Sequence, residues 1–251
     1  MKFFSIISLL ILQIAAGCLS SKSDTPEIRN QQASLELARQ MVGQGEYQRA
    51  VHFLLPRSRA ESAPLEVHML LGLSLLGLNN PTTAMKSFKT VLAGDPSNDD
   101  ARLNLGYTHI LLGDYSEARK SFVEIQKRKK YAFPERVHLN IGLSYLQEKR
   151  CNLAIPEFLA ALDADPTYSA PYFNLGKCHV SAGRLKDAQA SFQRAVDFCP
   201  GCLEPQMELA AVAFKLGDKP KAMSQIDAIL KAKPDATLQK RALALRKQLT
   251  R

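Results

Sequence analysis

Five cysteines and five histidines are the residues of this 251-residue chain whose chemistry could go beyond packing. The histidines are His52, His68, His109, His138 and His179. A zinc hydrolase needs two of them one helical turn apart with a glutamate between, and no pair has that spacing. There is no Gly-x-Ser-x-Gly nucleophile turn, no Walker pattern and no phosphate-cradling glycine loop. The sequence therefore predicts no catalytic residue, no metal and no cofactor. The cysteines carry more. Cys18 stands alone near the N-terminus, and Cys151, Cys178, Cys199 and Cys202 lie in the second half. In an exported chain those four allow three pairings. Cys199-Pro200-Gly201-Cys202 reads as a redox pair, half a zinc site or a local staple. It lacks both a thioredoxin context and a second such motif.

The elements that position these residues follow a recurring skeleton. Leu-Gly is followed twelve residues after the Gly by Ala, four later by an apolar residue and eight later by Pro. It appears as Gly72/Ala84/Phe88/Pro96, Gly106/Ala118/Phe122, Gly142/Ala154/Phe158/Pro166, Gly176/Ala188/Phe192/Pro200 and Ala210/Ala222/Ile226/Pro234. A weaker copy lies at Ala38/Ala50/Leu54. Self-similarity at a period of 34 marks a solenoid of helix pairs, each of which must stack on its neighbours to bury its apolar face. The small residues let two helices approach, and the bulky one fills the next space. Gly45, Gly113, Gly183 and Gly217 fall in the turn between helices, where a left-handed conformation is often needed. The prolines stop the second helices.

These positions resemble the tetratricopeptide pattern. The resemblance gives six units, 31–64, 65–98, 99–132, 135–168, 169–202 and 203–236. Beyond them a capping helix over 237–251 carries Leu238, Ala242, Leu245 and Leu249 on one face and basic residues opposite. The expected fold is all-α, a right-handed α-solenoid of six tetratricopeptide repeats and a cap. His68 and His138 share position 4 of their units, and His109 and His179 share position 11. All four then read as repeat packing. Cys151 opens the second helix of the fourth unit, and Cys178 lies in the first helix of the fifth, which should pack against it. A Cys151–Cys178 bridge is geometrically feasible; free buried thiols are the alternative. Two extra residues break the spacing between the third and fourth units, around KRKKYAFPER. Lys127 to Lys130 there end a helix, where cations complement its dipole.

In such an array the first helices line a groove. By helical wheel, positions 5, 9 and 12 share a face distinct from the packing face. They supply Met69, Leu73, Leu76, Leu103, Tyr107, Ile110, Leu139, Leu143, Leu146 and Phe173. Position 9 discriminates best, because it usually points outward. Leu73, Tyr107 and Leu143 occupy it in succession. The expectation is an apolar groove for an amphipathic helix or apolar segment of a partner protein, taken up by a monomer. Lys and Asn are absent from positions 5 and 9 in the combination that clamps a C-terminal carboxylate.

Lys2 followed by an uncharged FFSIISLLILQIAAG reads as an export signal over 1–17. Small residues before Cys18 resemble a bacterial lipoprotein signal, although Ala15 stands where Leu is usual. Ordinary cleavage or an uncleaved anchor remain open. Acylation at Cys18, at about 0.8 kcal/mol per buried methylene, would hold the chain on a membrane. Leu19, rather than Asp, resembles the signal for the outer membrane. Residues 18–30 then form a polar tether. The net charge of +9 fits an anionic membrane or an acidic partner, and export argues against nucleic acid.

The ensemble resembles the type IV pilus pilotins, the outer-membrane lipoproteins called PilF, PilW or Tgl. The resemblance rests on the length, the acyl-Cys, the six units, and Tyr131-Ala-Phe-Pro134-Glu135-Arg136, which is similar to that family's Tyr-Pro-Glu-Arg stretch. It implies an adaptor on the periplasmic face of the outer membrane that helps assemble and place a secretin, binding a secretin subunit. Another envelope scaffold, for barrel assembly or cell-wall synthesis, is the competing reading.

Overall fold

The computed structural model describes residues 26–128 and 131–250. The segment read as an export signal, Cys18, Lys129 and Lys130 lie outside the described residues. Among those described there are thirteen α-helices and no strand. They form two compact units that divide between Asn79 and Asn80. The first holds α1 (Pro26–Gly43), α2 (Tyr47–Arg57) and α3 (Leu65–Gly77). The second holds α4 (Pro81–Gly94), α5 (Asp99–Leu112), α6 (Tyr115–Arg128), α7 (Pro134–Gln147), α8 (Cys151–Ala164), α9 (Ser169–Ser181), α10 (Leu185–Phe198), α11 (Leu203–Lys215), α12 (Lys219–Lys231) and α13 (Ala236–Leu249). The division falls inside the unit read as 65–98, between its two helices. α1 also starts at Pro26, so the last residues of the stretch read as a tether are helical.

Local chemistry explains the boundaries. Asn98 caps α5 by accepting from the Ala101 amide at 2.9 Å, and Asp235 caps α13 by accepting from Leu238 at 2.9 Å. Pro96, Pro166 and Pro200 each sit two residues beyond a helix end. Asp95 and Asp165 fold the chain after α4 and α8 by accepting from the amides of Ser97 and Thr167.

The turn inside each repeat has one left-handed residue at position 15. Gly45, Gly113, Gly183 and Gly217 take it with φ of 73°, 84°, 71° and 80°. The same position in the second and fourth repeats holds Asn79 at 56° and Lys149 at 60°. Asparagine tolerates that region; a lysine Cβ is crowded there at a cost of roughly 1 kcal/mol. Lys149 is exposed and makes no ion pair among the described residues. Lys149→Gly is therefore expected to stabilise the α7–α8 hairpin by about 0.5–1 kcal/mol in chemical denaturation, part of the gain being offset by glycine's greater unfolded freedom.

Within a repeat the two helices meet at position 8 and position 24. A Cβ on Gly106, Gly142 or Gly176 would lie 2.4, 2.5 or 2.4 Å from a ring carbon of Phe122, Phe158 or Phe192 respectively. Each ring is fully buried. Where position 8 is Ala, as at Ala38 and Ala210, position 24 is the smaller Leu54 or Ile226, also buried. Bulk is thus exchanged between the two positions and the space is filled either way.

Repeats are joined by a second layer of packing. Leu103 and Ile110 of α5 share a core with Val137 and Ile141 of α7. Leu139 of α7 shares one with Leu175 and Cys178 of α9. A small residue at position 10 is fully buried in successive first helices: Ser74, Thr108, Ser144 and Cys178. The Ser74 and Thr108 hydroxyls donate to carbonyls four residues back at 2.7 Å and the Ser144 hydroxyl to the Ile141 carbonyl at 2.7 Å, so none of these three hydroxyls is left unpaired. Inside the second unit these contacts stack helix pairs in order, as α5 meets α7, α7 meets α9 and α11 meets the cap α13, while Phe173 and Val180 of α9 pack on the core that holds Leu209 and Val212 of α11. The fold is an all-α solenoid.

Candidate protein-binding face

Burial redraws the face expected from the helical wheel. Leu103 and Ile110 are 2% and 6% exposed, and Leu139 is 7% exposed. These three do not line a groove; they are the seam between repeats. A first helix has neighbours on two sides, and positions 5 and 12 point at the following repeat. Phe173 is half-buried, with its ring 5.8 Å from that of Phe192. Leu146 packs on the core of the fourth repeat. Leu143 touches two cores at once, those of the third and fourth repeats. Met69, Leu73 and Leu76 are half-buried in the first unit.

Tyr107 is the site residue that remains on the surface, 37% exposed. It shares a helix face with positions 2, 6 and 13. On α5 that face is Asp100, Asn104, Tyr107 and Leu111; on α7 it is Arg136, Asn140, Leu143 and Gln147. The surface is therefore mixed rather than purely apolar. Asn104, Asn140 and Asn174 recur at position 6, and each Nδ2 donates at 2.8 Å to the carbonyl four residues back; Asn174 is buried, so only the first two belong to the surface. On α9 the outward position holds Lys177, whose Nζ stands 5.6 Å from the Phe173 ring centre. Aromatic, aliphatic, amide and cationic groups thus alternate along it. Such a face suits an extended or helical peptide with mixed side chains, not only a greasy one.

The two-residue break is held by tie-backs to α5. The Arg128 guanidinium donates to Asp99 at 2.9 Å and to the Pro96 carbonyl at 3.0 Å. The Tyr131 hydroxyl donates to Asp100 at 2.7 Å, and burial together with that bond pushes its ionisation well above the usual range. Phe133 is left half exposed, edge-on to Tyr131 with ring centres 6.0 Å apart. Earlier on α6, Arg119 makes a bidentate pair with Glu148 at 2.9 and 3.2 Å and also donates to Ser144. Its guanidinium lies 4.6 Å from the Tyr145 ring centre. Among the described cations near the break, Lys127 pairs with Glu124 on its own helix, Arg128 ties the end of α6 back to the start of α5, and Arg119 joins the third and fourth repeats.

The chemistry-bearing side chains resolve into packing. Cys151 is bonded to Cys178, which is fully buried in the position-10 column, and Cys199 is bonded to Cys202. These bonds tie α8 to α9 and close the turn between α10 and α11. His138 pairs with Glu157 at 2.8 Å across the α7–α8 hairpin. Burial lowers the basicity of His68 and His179. Among the described residues no group of three His, Cys, Asp or Glu side chains gathers to hold a metal ion, and no helix is long and apolar enough to cross a membrane. Sequence reasoning missed the position-10 column, although its run of small residues was visible.

Residues 75–130 and 139–201 match two family models described as tetratricopeptide repeat. With the helix pairs and their seams, this makes the fold a solenoid of tetratricopeptide repeats. Solved structures with the same fold include PilW, described as a widely conserved type IV pilus biogenesis factor. It has a TM-score of 0.70 and 18% identity, covering 84% of this chain and 97% of that one. The pilF protein of Pseudomonas aeruginosa gives 0.65 at 18% identity, covering 85% and 96%. A tetratricopeptide repeat protein from Parabacteroides merdae gives 0.72 at 15% identity, covering 89% and 86%. Among curated proteins, the DnaJ homolog subfamily C member 7 homolog of Dictyostelium discoideum is 23% identical over 202 residues, 74% of this chain. The chain spans 38% of that relative's length.

Proposed function

We propose that this chain is a lipid-anchored adaptor of the outer membrane that helps assemble and place the secretin of a type IV pilus machine. The observation that carries the reading is the extent of the likeness to PilW, which takes in nearly all of that protein and most of this one. The export signal ending at Cys18 and the Tyr131–Arg136 junction support it from the sequence side. The fold is typically a non-catalytic interaction scaffold, and we assign it no reaction. On this reading the outward face of α5, α7 and α9 holds a secretin segment while acyl groups on Cys18 keep the complex at the bilayer. Deleting the gene should abolish secretin multimers in outer-membrane fractions. The wild-type chain should restore them, whereas Cys18→Ser should leave them reduced or misplaced. Normal multimers without the chain would end the proposal.

A second reading is an envelope scaffold with a different client; the Parabacteroides merdae protein, described only as a tetratricopeptide repeat protein, fits this fold as well as PilW does, so the fold alone does not single out a secretin. Under it, secretin multimers persist and crosslinking from the same face yields another envelope protein.

A further inference from the structure

The positive charge of this chain is concentrated at one end. Residues 215–251 hold ten lysines and arginines against three aspartates, a net +7 of the +9 for the whole chain. They make up the end of α11, α12, α13 and the connections between them. The arginines among them are largely committed. Arg241 bridges Glu204 and Glu208 at 2.8 and 2.7 Å, and Arg246 faces Asp227 at 3.6 Å. The exposed lysines are not: Lys215, Lys219, Lys231, Lys233, Lys240 and Lys247 carry no ion pair among the described residues.

Their arrangement on α13 is directional. Leu238, Ala242, Leu245 and Leu249 are buried against α11 and α12. At 100° per residue, Lys240, Leu243 and Lys247 fall directly opposite that stripe. Leu243 is 48% exposed between the two lysines. The outward strip of α13 is therefore cation, leucine, cation. Lys231 likewise lies opposite the buried residues of α12, and Lys233 follows in the next turn.

We infer that this basic end of the fold docks on an anionic lipid surface. Three features select a membrane over other polyanions. The segment 215–251 contains no aromatic ring, so nothing there can stack on a base. Among the described residues the free cations are all lysines, compact point charges suited to a diffuse negative surface, while Arg241, which could grip phosphate bidentately, is occupied. An exposed leucine at the centre of the strip can enter the headgroup layer, as in interfacial helices. The contact is separate from the partner-binding face of α5, α7 and α9 and does not depend on what that face holds. It would supply a second membrane attachment beside an acyl chain, and two weak attachments together give stable residence.

The test uses the full mature chain with Cys18→Ser, so that no acyl group contributes. It is sedimented with vesicles of phosphatidylglycerol in phosphatidylcholine, and with phosphatidylcholine alone. Binding is expected to the anionic vesicles only and to fall steeply as salt is raised. Lys240→Glu with Lys247→Glu should weaken it about tenfold or more, since each lysine near such a surface contributes about fivefold. Leu243→Ser should weaken it further without changing the salt dependence. Lys86→Glu with Lys89→Glu on α4, exposed and equal in charge change, is the control and should retain most of the binding. All four lysines are exposed, so circular dichroism should be unchanged. Equal losses from the two double variants, or no binding to anionic vesicles, would overturn the inference. Tighter retention on polyglutamate or duplex DNA than on vesicles would overturn it too, in favour of an acidic polymer.

Discussion

Gly142→Ala is expected to destabilise the fourth repeat by about 2–3 kcal/mol, a large effect for one methyl group. The new Cβ would lie 2.5 and 2.7 Å from two ring carbons of Phe158, a fully buried side chain that cannot swing aside. Phe158→Ile alone should cost about 2 kcal/mol through the cavity it leaves. The double variant should lose at least about 1 kcal/mol less than the sum, because the methyl enters the space the ring vacates. The sixth repeat already contains that solution in Ala210 and Ile226. Denaturation of the four proteins, with hydrogen exchange on α7 and α8 to localise the effect, checks it. Strict additivity would mean that the two positions are not coupled.

The second large effect concerns the disulfides. Cys151 and Cys178 are 27 residues apart, whereas Cys199 and Cys202 are separated by 3. Loop-closure entropy then assigns about 3–4 kcal/mol to the first bond and about 2 kcal/mol to the second. Cys151→Ala with Cys178→Ala should therefore lower the denaturation midpoint clearly more than Cys199→Ser with Cys202→Ser. Cys178 is fully buried, so its truncation adds a small cavity in the same direction. Equal losses would show that the longer loop is already constrained in the unfolded chain.

Much of the architecture was legible because the solenoid repeats its constraints. Leu-Gly, Ala, an apolar residue and Pro at fixed intervals name the close approaches and stops. The left-handed glycines stand where the skeleton puts them. Asn79 and Lys149 could not be read that way, since neither residue type advertises a positive φ; only their alignment with Gly45 and Gly113 does. The binding face was less legible. A helical wheel describes one helix, and Leu103, Ile110 and Leu139 are buried by a neighbour the wheel does not include. Leu143 looked outward at position 9 but wedges between two cores. Tyr107 kept its outward place because position 9 on α5 has no such wedge. The basic face of the capping helix opposite its apolar stripe was legible from the sequence, whereas the commitment of Arg241 to Glu204 and Glu208 on α11 needed the helices to be placed.

The proposal that this chain holds a secretin segment is tested most directly by a photo-crosslinking amino acid at position 107, in place of the exposed Tyr107. Irradiated in cells carrying the pilus machine, the full chain is expected to yield an adduct containing the secretin subunit. The same amino acid at the buried Phe122 should yield none. Adducts at position 107 that contain only other envelope proteins would contradict the account.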